Sequence, residues 1–174
     1  MVGFTACDSF LDEEPKSSLT LDTYYKTSAD IIGNVNYLYR DGAPDKMGNM
    51  TGAYRGSSLS VMNMVTGYFV NEYEGQEVDC SYARQLTRQN FTQSCCNYLT
   101  NDTWKGCYKS INVANAVIKY VDGVEMDGQA QYKAEARFFR ALNYFYLVKM
   151  FGDVPMITEP TEDATLGEYP ARTA

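Results

Sequence analysis

The stretch AEARFFRALNYFYLVKMFGDVPMITEP, residues 134–160, decides how this chain folds. Its first part holds no glycine or proline and carries apolar side chains around most of a helical circumference. That predicts a largely buried helix over about Gln129–Phe151. Alanines 134, 136 and 141 allow close helix approach, while Phe138, Phe139, Leu142, Phe145 and Val148 supply bulk. Arg137 and Arg140 are the exceptions; a buried guanidinium needs carboxylate or carbonyl partners. Gly152 is the expected C-terminal stop, and Pro155 follows it. The tail after it reads as extended and turn-rich, and YPARTA (169–174) reads as the approach to another helix with Thr173 as its cap.

Working back along the chain, the turn DGVEMDG (122–128) precedes this helix. Before the turn, Trp104, Tyr108, Ile111, Asn115 and Ile118 form one stripe at helical spacing. They predict a helix capped by Asn101 or Asp102 and running to about Val121. Asn115 is the misfit on that stripe. An amide on an apolar face needs hydrogen-bond partners or costs about 1–3 kcal/mol, so its expected partner is the backbone of a neighbouring loop. Joined by a short turn, the two helices make an αα-hairpin of the kind that tetratricopeptide repeats use, with Trp and Tyr on the first helix and small residues and Phe on the second.

Further upstream, Ile31, Ile32, Val35, Leu38 and Tyr39 predict a helix starting near Thr27 or Ser28 and ending at Gly42 and Pro44. Either hydroxyl can cap it, and Asp30 suits the positive end of the helix dipole. Leu59, Met62 and Val65 predict a second helix over Ser57 to about Thr66, and a short helix is expected near Ser81 to Arg88. Residues 45–56 read as loop, 67–100 as the least regular part, and 8–22 as extended or coiled. The fold class expected is therefore mostly α, with helical hairpins and long irregular loops.

The totals exclude several chemistries. The 174 residues contain no histidine, which removes Ser-His-Asp and Cys-His catalysis and the commonest zinc and iron ligand. The net charge of −7 argues against nucleic acid as the main partner. No run of 18 apolar residues exists to span a membrane as a helix. The five cysteines (Cys7, Cys80, Cys95, Cys96, Cys107) contain no C-x-x-C and make a poor metal site. Apart from Cys7 they are read either as pairs in an oxidising compartment or as free, half-buried thiols.

Fifteen tyrosines are the positive signal. A tyrosine has a flat apolar face and a polar tip, and most are expected in or against the core. Residues 63–98 place Tyr68, Tyr73, Tyr82 and Tyr98 among Asn63, Asn71, Arg84 and Asn90. A sugar ring needs such a set, an aromatic face for its C–H groups and amides or charges for its hydroxyls. Composition leaves two readings of these rings open: ligand contacts, or plugs that seal the loop against the helices. The acids Glu72, Glu74, Glu77 and Asp79 would be needed for glycosidase chemistry, but a solvated acidic turn is the commoner reading. They lack the residue order of a calcium loop.

Four stretches together resemble the N-terminal part of the SusD/RagB nutrient-binding outer-membrane lipoproteins. They are CDSFLDEEP (7–15) with TLDTYYKTSADI (20–31), TGYFVNEYEGQEVD (66–79), the set Trp104, Tyr108, Ile111, Asn112, Ala114 and Asn115, and the 134–160 stretch with its Phe-Gly-Asp-Val-Pro close. The resemblance implies a fold of tetratricopeptide-like hairpins with inserted loops. It implies a surface lipoprotein of the cell outer membrane that binds oligosaccharide and delivers it to a TonB-dependent, SusC-like transporter barrel, with no catalysis and no cofactor. Some relatives handle peptides, and a helical protein-interaction scaffold is the other alternative. The ligand region carried over is residues 63–98, with Tyr68, Asn71, Tyr73, Tyr82, Arg84 and Tyr98 as the substrate-binding candidates.

Phe4-Thr5-Ala6-Cys7 resembles a lipobox, which makes Cys7 the expected lipidation site. At about 0.8 kcal/mol per buried CH₂, several acyl chains anchor stably. The expected division is a signal remnant over 1–6, a lipid anchor and acidic tether over 7–22, and the N-terminal part of a longer helical domain over 23–174.

Overall fold

A computed structural model describes residues 20–40, 65–68, 70, 84–85, 87–90, 92, 103–161 and 170–173. These are mostly helical. The described elements are α1 (Leu21–Tyr24), α2 (Ser28–Arg40), α3 (Lys105–Tyr120) with a 3₁₀ turn at Val121–Gly123, α4 (Gln129–Phe151), β1 (Val154–Pro155) and β2 (Arg172–Thr173).

α3 and α4 form the expected antiparallel hairpin. At its closed end, Ala114, Val117 and Val121 pack with Ala136 and Phe139; at its open end, Cys107 and Ile111 pack with Tyr144, Leu147 and Val154. The joining turn is fixed from both sides. Gly128 sits at φ +77°, a conformation that favours glycine, and the Gln129 amide donates to the carbonyls of Val121 (3.3 Å) and Val124 (2.6 Å). Lys133 pairs with Asp122 across the same turn.

α2 lays Ile31, Val35 and Leu38 into the closed-end cluster. Its start is held by Asp30 rather than by a hydroxyl accepting from the helix. The Asp30 carboxylate accepts from the Thr27 amide (2.8 Å) and hydroxyl (2.7 Å) and from the Lys26 amide (3.3 Å). These bonds, the Thr27 hydroxyl first, hold the carboxyl below its usual range.

Four expectations are corrected. Leu21–Tyr24 is a turn of helix, not coil, because Thr20 and Thr23 close a reciprocal cap. It presents Tyr25 to stack on Tyr120, centroids 5.3 Å apart, and Asp22 to accept from the Tyr120 hydroxyl at 2.7 Å. α4 is not buried all round: Phe138, Phe145 and Val148 are more than half exposed, and Arg137 is exposed. Of Ala134, Ala136 and Ala141, only Ala136 is buried at the helix contact. Arg172 and Thr173 form a strand, not a helical approach: β2 pairs antiparallel with β1, Val154 opposite Thr173 and Pro155 opposite Arg172.

Other expectations hold or lie beyond view. Gly152 ends α4 at φ +69°. Arg84, Gln85 and Thr87 are helical within the short helix expected near Ser81–Arg88. Val65 and Thr66 stand in a turn with Gly67 at φ +80°. The rest of the helix expected from Ser57, the Asn101 or Asp102 cap and the Gly42–Pro44 stop fall outside the described residues.

Candidate functional site

The segment after α4 is strapped across the open end of the hairpin by side chains from both helices. Tyr144 bonds the backbone of Ile157 twice, its hydroxyl donating to the carbonyl (2.9 Å) and accepting from the amide (2.6 Å). Tyr108 donates to the Pro155 carbonyl at 2.7 Å, and Asn112 accepts from the Thr161 amide at 2.7 Å. Asn115, fully buried, donates to the carbonyls of Ile157 (3.0 Å) and Glu159 (3.2 Å). This is the loop backbone its place on the stripe demanded. Its own oxygen accepts from Arg140 at 2.9 Å, and Arg140 also reaches the Thr158 carbonyl at 3.4 Å. The arginine expectation is met at Arg140 by carbonyl oxygens.

Between this strap and α3 lies a groove of about 490 Å³, lined by Trp104, Lys105, Tyr108, Asn112, Pro155, Ile157 and Thr161 among others. Its aromatic wall is a set of touching rings. Trp104 meets Tyr108 at 5.0 Å and Phe151 edge-on at 5.1 Å, and the Arg172 guanidinium sits 5.7 Å from its centroid. Burial, with the neighbouring Tyr144 second, pushes the Tyr108 phenol up to about 12, so it stays neutral and keeps its bond to the Pro155 carbonyl at physiological pH. The groove is apolar with Lys105 and Asn112 among its lining, a surface for a ring's C–H face or an apolar side chain. Sequence reading assigned Trp104 and Tyr108 to the core stripe alone; the polar neighbours Lys105 and Asn112 beside them were the available signal.

Of the candidate ligand residues, Tyr68 and Arg84 are described. Tyr68 is 88% exposed. Arg84, half-buried, lines a polar recess of about 240 Å³ with Gln85, Arg88 and Asn90. Asn71, Tyr73, Tyr82 and Tyr98, and the lipidation candidate Cys7, lie outside the described residues. So do Glu72, Glu74, Glu77 and Asp79. Cys107 is a free, buried thiol, and burial pushes it up to about 12, so it stays protonated. Among the described residues, no cluster of Cys, Asp or Glu is arranged to hold a metal, and no helix is long and apolar enough to cross a membrane.

The model of one protein family, a SusD-like family described as "Starch-binding associating with outer membrane", matches residues 9–172. The chain is 26% identical over 164 residues to the SusD-like protein P25 of Formosa agariphila, covering 89% of this chain and 29% of that protein. It is 26% identical over 159 residues to the SusD-like protein P2 of the same organism, covering 90% and 29%. A SusD-like protein of Bacteroides ovatus is 25% identical over 162 residues, covering 90% and 27%. The chain thus spans less than a third of the length of the curated relatives it matches. No solved structure gives a significant match. With the match running through the capped turn at Leu21, the α3–α4 hairpin and the strap on Asn115, this chain belongs to the SusD-like family.

Proposed function

We propose that this chain is part of a non-catalytic surface lipoprotein that binds nutrient oligosaccharide and passes it to a TonB-dependent, SusC-like transporter of the outer membrane. The observation that carries the reading is the match of residues 9–172 to a family described as starch-binding and associating with the outer membrane. In this reading Cys7 carries the lipid, the residues between it and the Thr20 cap of α1 form the tether, and the α3–α4 hairpin belongs to a set of tetratricopeptide-like hairpins. The ligand surface is the 63–98 region: Tyr68 and, with it, Tyr73, Tyr82 and Tyr98 stack on sugar faces, and Asn71 and Arg84 bond hydroxyls. The 88% exposure of Tyr68 and the polar recess at Arg84 support it, because stacking needs an accessible ring and hydroxyls need a donor set.

Binding without chemistry suits the residues present. Exposed rings and amides bind a sugar through many weak contacts and leave it intact for transport. Native gels cast with a panel of polysaccharides test the reading. Retardation of the lipid-free protein by at least one polysaccharide is the expected result. Unretarded migration in every gel, together with capture of peptide, would move the reading to peptide uptake. Slow release of reducing ends from a retarding polysaccharide would move it to hydrolysis.

A further inference from the structure

The polar recess at Arg84 has a charge and a hydrogen-bond character of its own. Residues 80–101 contain no aspartate or glutamate, so all 22 acids of the chain lie outside them. The only charged residues in that stretch are Arg84 and Arg88. The backbone brings the two together. Arg84, Gln85 and Thr87 are helical, and the Arg88 amide donates to the Arg84 carbonyl at 3.0 Å, which sets both side chains one turn apart on the same face. Gln89, at φ +53°, turns the chain back, and the Asn90 amide donates to the Gln85 carbonyl at 2.9 Å. Arg84, Gln85, Arg88 and Asn90 thereby line one recess of about 240 Å³.

This lining is built mostly of donors. A guanidinium offers N–H groups and no acceptor. The Gln85 side-chain oxygen accepts from the Thr92 hydroxyl at 2.5 Å, so what Gln85 has to offer a ligand is its NH₂ group. Asn90 alone adds a side-chain acceptor. A sugar hydroxyl donates as well as accepts and uses such a lining only in part. A carboxylate or a sulfate ester only accepts, and uses it fully. Bonds from a guanidinium to an anion are roughly twice as strong as neutral ones and form in parallel pairs. Like charges four residues apart destabilise a helix, and an anion between them removes that repulsion. Arg84 is engaged by a further contact as well, and Arg88, exposed at the rim, is the more accessible of the two.

We propose that this recess is a subsite for the anionic substituent of an acidic oligosaccharide, either the carboxylate of a uronic acid or the sulfate of a sulfated sugar. Arg84 and Arg88 bind the anion, and Gln85, turned by Thr92, adds an N–H. A chain of net charge −7 repels polyanions as a whole, so an acidic glycan needs a local cationic point of this kind to be held. The proposal rests on the glycan-binding reading and narrows it: the nutrient carries negative charge, and the two arginines select it over neutral polysaccharides.

The test is affinity electrophoresis of the lipid-free protein in gels holding matched pairs of polysaccharides. Polygalacturonate and alginate are each paired with their carboxyl-reduced forms, and carrageenan and fucoidan with their desulfated forms. The expected result is that at least one acidic polymer binds about tenfold or more tighter than its neutral partner. Whether that polymer carries carboxylate or sulfate identifies the anion. Arg88→Gln, at an exposed position, should abolish the preference while leaving affinity for the neutral partner and the melting temperature unchanged. Arg88→Lys keeps the charge but loses the planar fork, and should restore the preference only in part. Equal binding of charged and neutral partners overturns the proposal and leaves the glycan reading standing. So does a preference that survives both Arg84→Gln and Arg88→Gln, or one that Arg88→Lys restores in full, which marks general attraction to polyanions. Retention by none of the polymers overturns the proposal together with the glycan reading.

Discussion

Asn115 ties three parts of the chain at one buried point: α3, on which it sits, Arg140 of α4, and the strap at Ile157 and Glu159. Replacing it with leucine keeps the volume but takes one donor from each of two carbonyls and one of two acceptors from Arg140. Asn115→Leu should therefore cost about 2–3 kcal/mol in urea unfolding, and an unchanged midpoint would show the strap does not depend on it. The need for partners was legible in the sequence, because an amide interrupts an apolar stripe. Their identity was not, because they lie 42 and 44 residues away and no local rule reaches that far. The buried protons make a second prediction at this scale. Desolvation raises Cys107 from 9.0 to about 12 and Tyr108 from 10.0 to about 12, and it raises Tyr25 and Tyr144 too. As pH climbs past 9 and then 10, the unfolded chain loses these protons before the folded one does. The stability they contribute is complete below pH 9 and is lost as pH rises toward 12. Urea midpoints should fall steadily across that window, and Cys107→Val should delay the onset. A flat profile to pH 11 would contradict the burial.

Helices were the most legible elements, because 3.6-residue spacing needs no knowledge of the partner. What spacing could not decide was which apolar side of α4 faces in. With bulk on most of its circumference the sequence shows no preferred face, and the structure buries Ala136, Phe139 and Leu147 while opening Phe138 and Phe145. Ala136→Leu should overpack the hairpin and lower stability by about 1–3 kcal/mol in thermal or urea unfolding; no loss would mean that the helices do not meet there. Gly152 was legible as a stop. Its φ of +69° with ψ of −136° lies where side chains are strained, although the space around it is open. Gly152→Ala should cost about 1–3 kcal/mol from the backbone alone, and Gly152→Asn should not rescue it. The short helix at Leu21 and the β1–β2 pair escaped the reading: four- and two-residue elements have no period to detect, and they exist because of a threonine pair and a tertiary contact.

At the scale of the whole molecule, the order of the matching stretches carried more than any one of them, and the family match over residues 9–172 follows that order. A candidate ligand region could be proposed from its tyrosines. Which of its rings are accessible could not be read, because an exposed tyrosine and a core tyrosine have the same sequence signature until the fold separates them, as it does for Tyr68 and Tyr25. The central claim is that the 63–98 region binds a sugar. Isothermal titration of the lipid-free product of the native reading frame tests it most directly, against starch-type and other oligosaccharides with a peptide control, for the native protein and Tyr68→Ala. The account predicts saturable binding of at least one oligosaccharide and a loss of about tenfold or more in affinity on Tyr68→Ala, with an unchanged melting temperature. Binding of peptide with no heat from any oligosaccharide, or oligosaccharide affinity indifferent to Tyr68→Ala, would contradict it.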